Sequence, residues 1–206
     1  MKHLKEYSDF HINEEWSKND PIPELNEKNK LGIILMGIPG LGKSYFSKNY
    51  IQPRQEIKTF STDDVSMKFT KDPNKYYPGA ADLNIRGLLK FMDNGNSFIY
   101  DTTGTHPDQI FKIVQKAKKS GYKILFIHLV GSLDLSLKQN QMRDRQVDPE
   151  YIEFSYQTQF PNMKIYFNQL HPDGYYIVYN KEGKYKFYKY VGGKLLKRKV
   201  DKYVEL

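Results

Sequence analysis

The chain has no cysteine among its 206 residues. That excludes a disulfide framework and any thiolate metal site, and it suits a reducing compartment. A signal-like start is missing too, because Met1-Lys-His-Leu-Lys-Glu-Tyr-Ser-Asp-Phe10 has no apolar core. No stretch approaches the roughly 20 apolar residues that span a bilayer. The expectation is therefore a soluble, cytoplasmic protein with no membrane partner. His106 and His128 show no metal-ligand spacing and read as structural. No internal repeat is present. The length allows one α/β domain with a sizeable core and a short appendage, but not two full domains.

What is there in excess is positive charge, +8 in formal terms, and it is unevenly placed. Residues 1–30 carry five Lys against seven Asp and Glu, whereas residues 171–206 carry nine Lys and Arg against four. A basic tail suits a polyanionic partner such as nucleic acid, and equally serves solubility.

The most informative segment is Gly37-Ile-Pro-Gly-Leu-Gly-Lys-Ser44, which fills every required place of G-x-x-x-x-G-K-[ST]. Gly37, Gly40 and Gly42 permit left-handed backbone angles, so that consecutive N–H groups, including those at Ile38, Pro39's neighbours and Leu41, converge on phosphates. Lys43 reaches the β and γ oxygens of ATP, Ser44 faces Mg²⁺, and Tyr45 completes the nucleotide-binding stretch. The context agrees: 31–36 is a short apolar run, and a helix can begin at Lys43 with its N-terminus toward the anion.

Along the chain, residues 1–30 are polar and broken by Asp20-Pro-Ile-Pro23, and read as an N-terminal extension. Strands are expected at 31–36, 56–61, 97–100, 123–130 and 175–179. Helices are expected from Thr62, through the Leu83, Leu88, Leu89 and Met92 stripe, and over 108–119, about 133–145 and from about 149. Asn180-Lys-Glu-Gly183 and Gly192-Gly193 read as hairpin turns in a basic C-terminal β extension over 181–206. The fold class is α/β: a five-stranded, mainly parallel sheet with helices on both faces, occupying 31–180, plus that C-terminal hairpin.

In such a sheet, reactive groups gather where strands end beside the phosphate loop. Asp63-Asp64 follows the second strand, Asp101-Thr102 the third, and Arg143 and Arg145 the fourth. Phosphoryl transfer needs a phosphate cradle, a cation, an arginine over the developing charge and a carboxylate to orient the attacking hydroxyl. Asp63 fits the last role, or else caps a helix. Asp101 reads either as an Asx-turn or as a group beside Mg²⁺ and the acceptor. The arginines either close over ATP or form a solvated helix end.

Together these residues resemble the phage-type polynucleotide 5′-kinase family, within the wider P-loop kinases that include zeta toxins. The likeness spans about residues 31–180 and rests on Gly37 to Ser44, Asp63-Asp64, Asp101-Thr102, and Asn140-Gln-Met-Arg143 with Val147-Asp-Pro149. It implies a P-loop kinase fold, ATP and Mg²⁺ as cofactors, and a DNA or RNA end as partner. Arg143 would lie in a lid over ATP, Asp63 would activate the 5′-hydroxyl, and Asp101 would help to organise the acceptor. Such kinases can carry an acceptor-gripping arginine three residues after the activating Asp, where this chain has Ser66, and a second lid arginine where it has Gln139. Arg145, Lys68 or Arg86 are the available substitutes. The rival acceptors are a nucleoside, nucleotide, sugar or hydroxymethylated base in DNA. A rival of another class is a P-loop ATPase or nucleic-acid-binding switch.

Overall fold

Leu31–Met36 (β1) is buried at all six positions, as a strand covered on both faces must be. It lies at the centre of a sheet, with Phe98–Thr102 (β3) and Lys123–Val130 (β4) parallel on either side. Lys58–Ser61 (β2) and Gly174–Lys181 (β5) extend the parallel run outward. These are features of a computed structural model in which residues 21–54, 56–72, 75–191, 194–197 and 204–205 are described. Residues 1–20 of the expected N-terminal extension and the expected Gly192-Gly193 turn lie outside the described residues.

The mainly parallel α/β sheet with a C-terminal hairpin is present as expected, but it does not stop at five strands. After Glu182 and Gly183, at φ 53 and 86, Lys184–Val191 (β6) folds back antiparallel onto β5. Left bare, the β5 edge would present unpaired N–H and C=O groups, and β6 satisfies them. Lys194–Lys197 (β7) and Val204–Glu205 (β8) pair in turn with β6, giving the order β2-β3-β1-β4-β5-β6-β7. β2 begins two residues later than the expected 56, and β3 runs on through Asp101 and Thr102.

The helices are Lys43–Phe46 (α1), continued by a π-helical turn over Ser47–Ile51, then Thr62–Thr70 (α2), Ala80–Met92 (α3), Pro107–Lys119 (α4), Leu133–Gln141 (α5) and Pro149–Leu170 (α6). One face of the sheet is covered by α3, α4 and α6. The α4 stripe Ile110, Ile113, Val114 and Ala117 follows the i, i+3, i+4, i+7 spacing and is buried, while Lys116, Lys118 and Lys119 end that helix in basic charge. On the opposite face Phe46, Tyr50 and Ile51 pack on β1, β4 and β5. Phe46 and Tyr50 stack at 4.9 Å, and Tyr50 meets Phe187 of β6 at 5.1 Å.

Residues 21–30 are tied into that second core. A 3₁₀ turn over Pro23–Asn26 places Ile22 and Leu25 among fully buried neighbours. Between them Glu24 accepts hydrogen bonds from Tyr176 Oη and, at 3.0 Å, Lys189 Nζ. Leu25→Ala removes a buried isobutyl group, so unfolding free energy should fall by about 2–4 kcal/mol in a urea titration. An unchanged midpoint would show that this segment does not support the core.

Candidate active site

A cleft of about 1200 Å³ opens at the C-terminal ends of the parallel strands. The phosphate loop, the start of α2, the end of β3 and the segment after α5 all line it. This is where an open parallel sheet places its ligands.

The loop is held at close quarters. A Cβ on Gly37 would sit 2.6 Å from the Leu129 carbonyl oxygen, and one on Gly40, at φ 85, would collide with the Ser136 backbone. Ser136 Oγ donates to the Pro39 carbonyl at 2.5 Å, and Asn180 Nδ2 donates to the Leu41 carbonyl at 2.9 Å. Carbonyls engaged in this way do not face an incoming anion. Ile38 and Leu41 are buried with Ile152 of α6, so the apolar positions of the motif anchor it. Lys43 Nζ donates to the Gly37 carbonyl at 2.7 Å and lies 3.9 Å from Asp101 Oδ1. Ser44 and Tyr45 are on the cleft wall.

Three carboxylates converge across from that lysine. Asp101, at the end of β3, is pushed up to about 6 from the ordinary 3.8. Burial is the main cause, Lys43 opposes it, Asp63 and Asp64 add to it, and Arg143 offsets part. Burial also raises Asp64, with the Asp63 charge second. Asp63 does not cap α2, whose start has no side-chain cap bond. Its Oδ1 is instead 2.7 Å from a terminal guanidinium nitrogen of Arg145. Nor does Asp101 make the turn out of β3: Thr102 Oγ1 does, accepting from Gly104 N at 3.2 Å.

The arginines are not on a helix. α5 ends at Gln141 rather than near 145, because Asn140 turns its amide onto Val147, donating to its carbonyl at 2.8 Å and accepting from its N–H at 2.9 Å. This two-bond clamp closes residues 141–147 into a loop, and Arg143 and Arg145 reach the cleft from it. Asp148 then starts α6, its side chain accepting from Glu150 N.

Of the expected site residues, Gly40, Gly42, Lys43, Ser44, Tyr45, Asp63, Asp101, Thr102, Arg143 and Arg145 line one cleft, with Pro39 among them. Arg86 is not brought there; it is exposed on α3, and Lys68 is likewise outside the lining. Ser66 is 1% exposed and committed to structure, accepting from Tyr77 N at 2.7 Å and donating to the Lys75 carbonyl at 3.2 Å. His106, read as structural, borders the cleft, whereas His128 is buried, its pKa pushed down to about 4 mainly by burial.

Sequence reasoning missed the loop's anchors, Ser136 and Asn180. It also missed a hydroxyl cluster in which Thr103 Oγ1 lies 2.9 Å from Thr105 Oγ1 and 3.2 Å from Tyr151 Oη. No periodicity marks such residues, because their partners are distant in the chain. Among the described residues, no group of three or more acidic or histidine side chains could hold a metal unaided. Mg²⁺ arriving with a nucleotide needs only one or two protein ligands, and Ser44 with the nearby Asp101 fits that demand.

Asp101 binds its proton more tightly folded than unfolded. Its contribution to stability is therefore greatest in acid and is lost as the pH rises through about 4 to 6. At neutral pH the buried anion costs on the order of 1–3 kcal/mol. Asp101→Asn should raise the urea midpoint at pH 7, with the gain vanishing below about pH 4. A midpoint lowered at pH 7 would refute this electrostatic account.

No helix among the described residues is long and apolar enough to cross a membrane. The L-seryl-tRNA(Sec) kinase of Methanococcus maripaludis is 28% identical over 129 residues, covering 61% of this chain and 51% of that protein. The chain thus spans about half the length of the curated relative it matches. Among solved structures, the AvrRxo1-ORF1:-ORF2 complex with ATP superposes with a TM-score of 0.63 at 13% identity, over 86% of this chain and 63% of that one. The Pnkp1/Rnl/Hen1 RNA repair complex gives 0.56 at 17% identity, over 68% and 47%. Such likenesses establish the fold. Residues 33–159, which run from the first strand through the 141–147 loop into α6, match the AAA domain family AAA_33, and the chain belongs to that family.

Proposed function

We propose that the chain is an ATP- and Mg²⁺-dependent kinase that transfers the γ-phosphate to a hydroxyl of a nucleic acid, with a 5′-OH end as acceptor. The observation that carries this reading is the meeting of Lys43, Asp63, Asp101, Arg143 and Arg145 around one cleft. The nucleic-acid half draws support from relatives whose names speak of tRNA and RNA repair.

The phosphate loop holds the β and γ phosphates, and Lys43 leaves its loop carbonyls to spread the charge of the transferring group. Arg143 and Arg145 approach from the lid and add positive charge over the same oxygens. Ser44 and Asp101 would hold Mg²⁺, which when bound would supply neutralisation of the phosphate charge. Arg145 holds Asp63 Oδ1, which leaves Oδ2 for the acceptor. That oxygen accepts the hydroxyl proton as the new O–P bond forms and the bond from γ-phosphorus to the bridging oxygen breaks, releasing ADP. Because the transition state is loose, the proton moves late and a weak carboxylate base suffices.

A panel of acceptors with γ-labelled ATP tests the reading: 5′-OH oligonucleotides of DNA and RNA, nucleosides, nucleotides and sugars. Label is expected on the oligonucleotides. Label confined to a small molecule would move the acceptor, and hydrolysis with no labelled product would make the chain an ATPase. Asp63→Asn should lower kcat by at least about 100-fold while ATP affinity stays within about twofold. Lys43→Ala should lower kcat/KM by a comparable factor or more. Undiminished turnover by Asp63→Asn would remove that residue from the chemistry.

A further inference from the structure

Exposed apolar side chains are unevenly spread. Among the described residues eight large hydrophobic side chains are exposed, and Met67, Phe69, Tyr76 and Leu83 account for four of them. Scattered single residues of this kind need no explanation, but a cluster beside a functional cleft does. Met67 and Tyr76 line the cleft together with Asp63 and Asp64, at 45% and 54% exposure.

The cluster is built rather than loose. Phe69 stacks on Tyr77 with ring centroids 4.4 Å apart and planes 12° apart. The two Ser66 hydrogen bonds fix Lys75 and Tyr77, the residues on either side of Tyr76. The Tyr77 carbonyl accepts from Ala80 N at 3.0 Å, which ties the segment to α3. Cations accompany the rings: Lys68 and Lys71 are exposed, and Lys75 borders the cleft, paired only loosely with Asp72 at 3.6 Å. Aromatic faces interleaved with lysines, beside a groove, suit a strand whose bases are unpaired and whose backbone is anionic.

We propose that Met67 and Tyr76, backed by the Phe69–Tyr77 stack, form a platform for the terminal nucleobase of a single-stranded acceptor, with Lys75 beside its backbone phosphate. This rests on the nucleic-acid reading above and narrows it. The 5′-hydroxyl is held at Asp63 by the ring behind it, so the acceptor is recognised by a base face and not by its sequence. A terminus stacked inside a duplex cannot offer that face.

The test is steady-state phosphorylation of a 5′-OH single-stranded oligonucleotide, of the same strand abasic at its first nucleotide, and of a nicked duplex whose 5′-OH lies at the nick, where both faces of the terminal base are stacked. For the unaltered chain, the abasic strand and the duplex should each raise KM about tenfold over the intact strand. Tyr76→Ala should raise KM for the intact strand by about the same factor, with kcat and the KM for ATP unchanged. It should show no further loss on the abasic strand, and Tyr76→Trp should restore the original KM. An abasic penalty that persists undiminished in Tyr76→Ala, or no abasic penalty in the unaltered chain, would overturn the platform while leaving the kinase reading intact. Failure to label any oligonucleotide while a small alcohol is labelled would overturn the platform and the nucleic-acid acceptor together.

Discussion

The phosphate loop is confined from three sides, and the rest of the molecule is arranged to keep it so. β4 presses on it at Gly37, α5 at Gly40, and the C-terminal end of β5 holds it through Asn180. None of these contacts leaves space for a side chain at the two glycines, so the loop's path follows from backbone packing, not from flexibility. Asn180 also accepts from Gly183 N, so the bond that fixes the hairpin turn comes from the side chain that fixes the loop. The C-terminal hairpin is therefore part of the support of the nucleotide site, and its aromatic residues Tyr185 and Phe187 pack on Phe46 just behind the lysine.

Much of this was legible in the sequence because it is written in local pattern. The eight residues of β4 are apolar but for Lys123 and His128, and the strand falls on the expected boundaries. α4 and the loop motif carry periodicity and spacing of the same clarity. The end of α5 did not, since Lys138 to Arg145 is polar but for Met142 and contains no helix breaker. What stops the helix is the Asn140 side chain meeting the Val147 backbone, a contact made only once the 141–147 loop has folded. The C-terminal hairpin was legible from its turn signal at 180–183, whereas the pairing of β8 with β6 was not, because no turn joins them and tertiary packing decides that contact.

Electrostatics in the cleft favour function over stability. Asp101 is buried between one lysine and two further carboxylates, and burial outweighs the lysine. A site of this kind is under-neutralised by its own side chains and gains most from an arriving cation, which lowers the raised pKa that burial imposes. At the rim Arg145 pairs with Asp63, where solvent screens the pair and its worth is mainly orientation. The inner acid is thus governed by burial and the outer acid is held by an arginine, a division that follows from depth in the cleft.

The same logic of depth explains Ser66. At a position 1% exposed, an arginine would have to drive its guanidinium through the segment that Ser66 now holds, displacing Lys75 and Tyr77. The hydroxyl holds that segment instead, accepting from Tyr77 N and donating to the Lys75 carbonyl. Ser66 thus fixes the segment that presents the exposed ring of Tyr76.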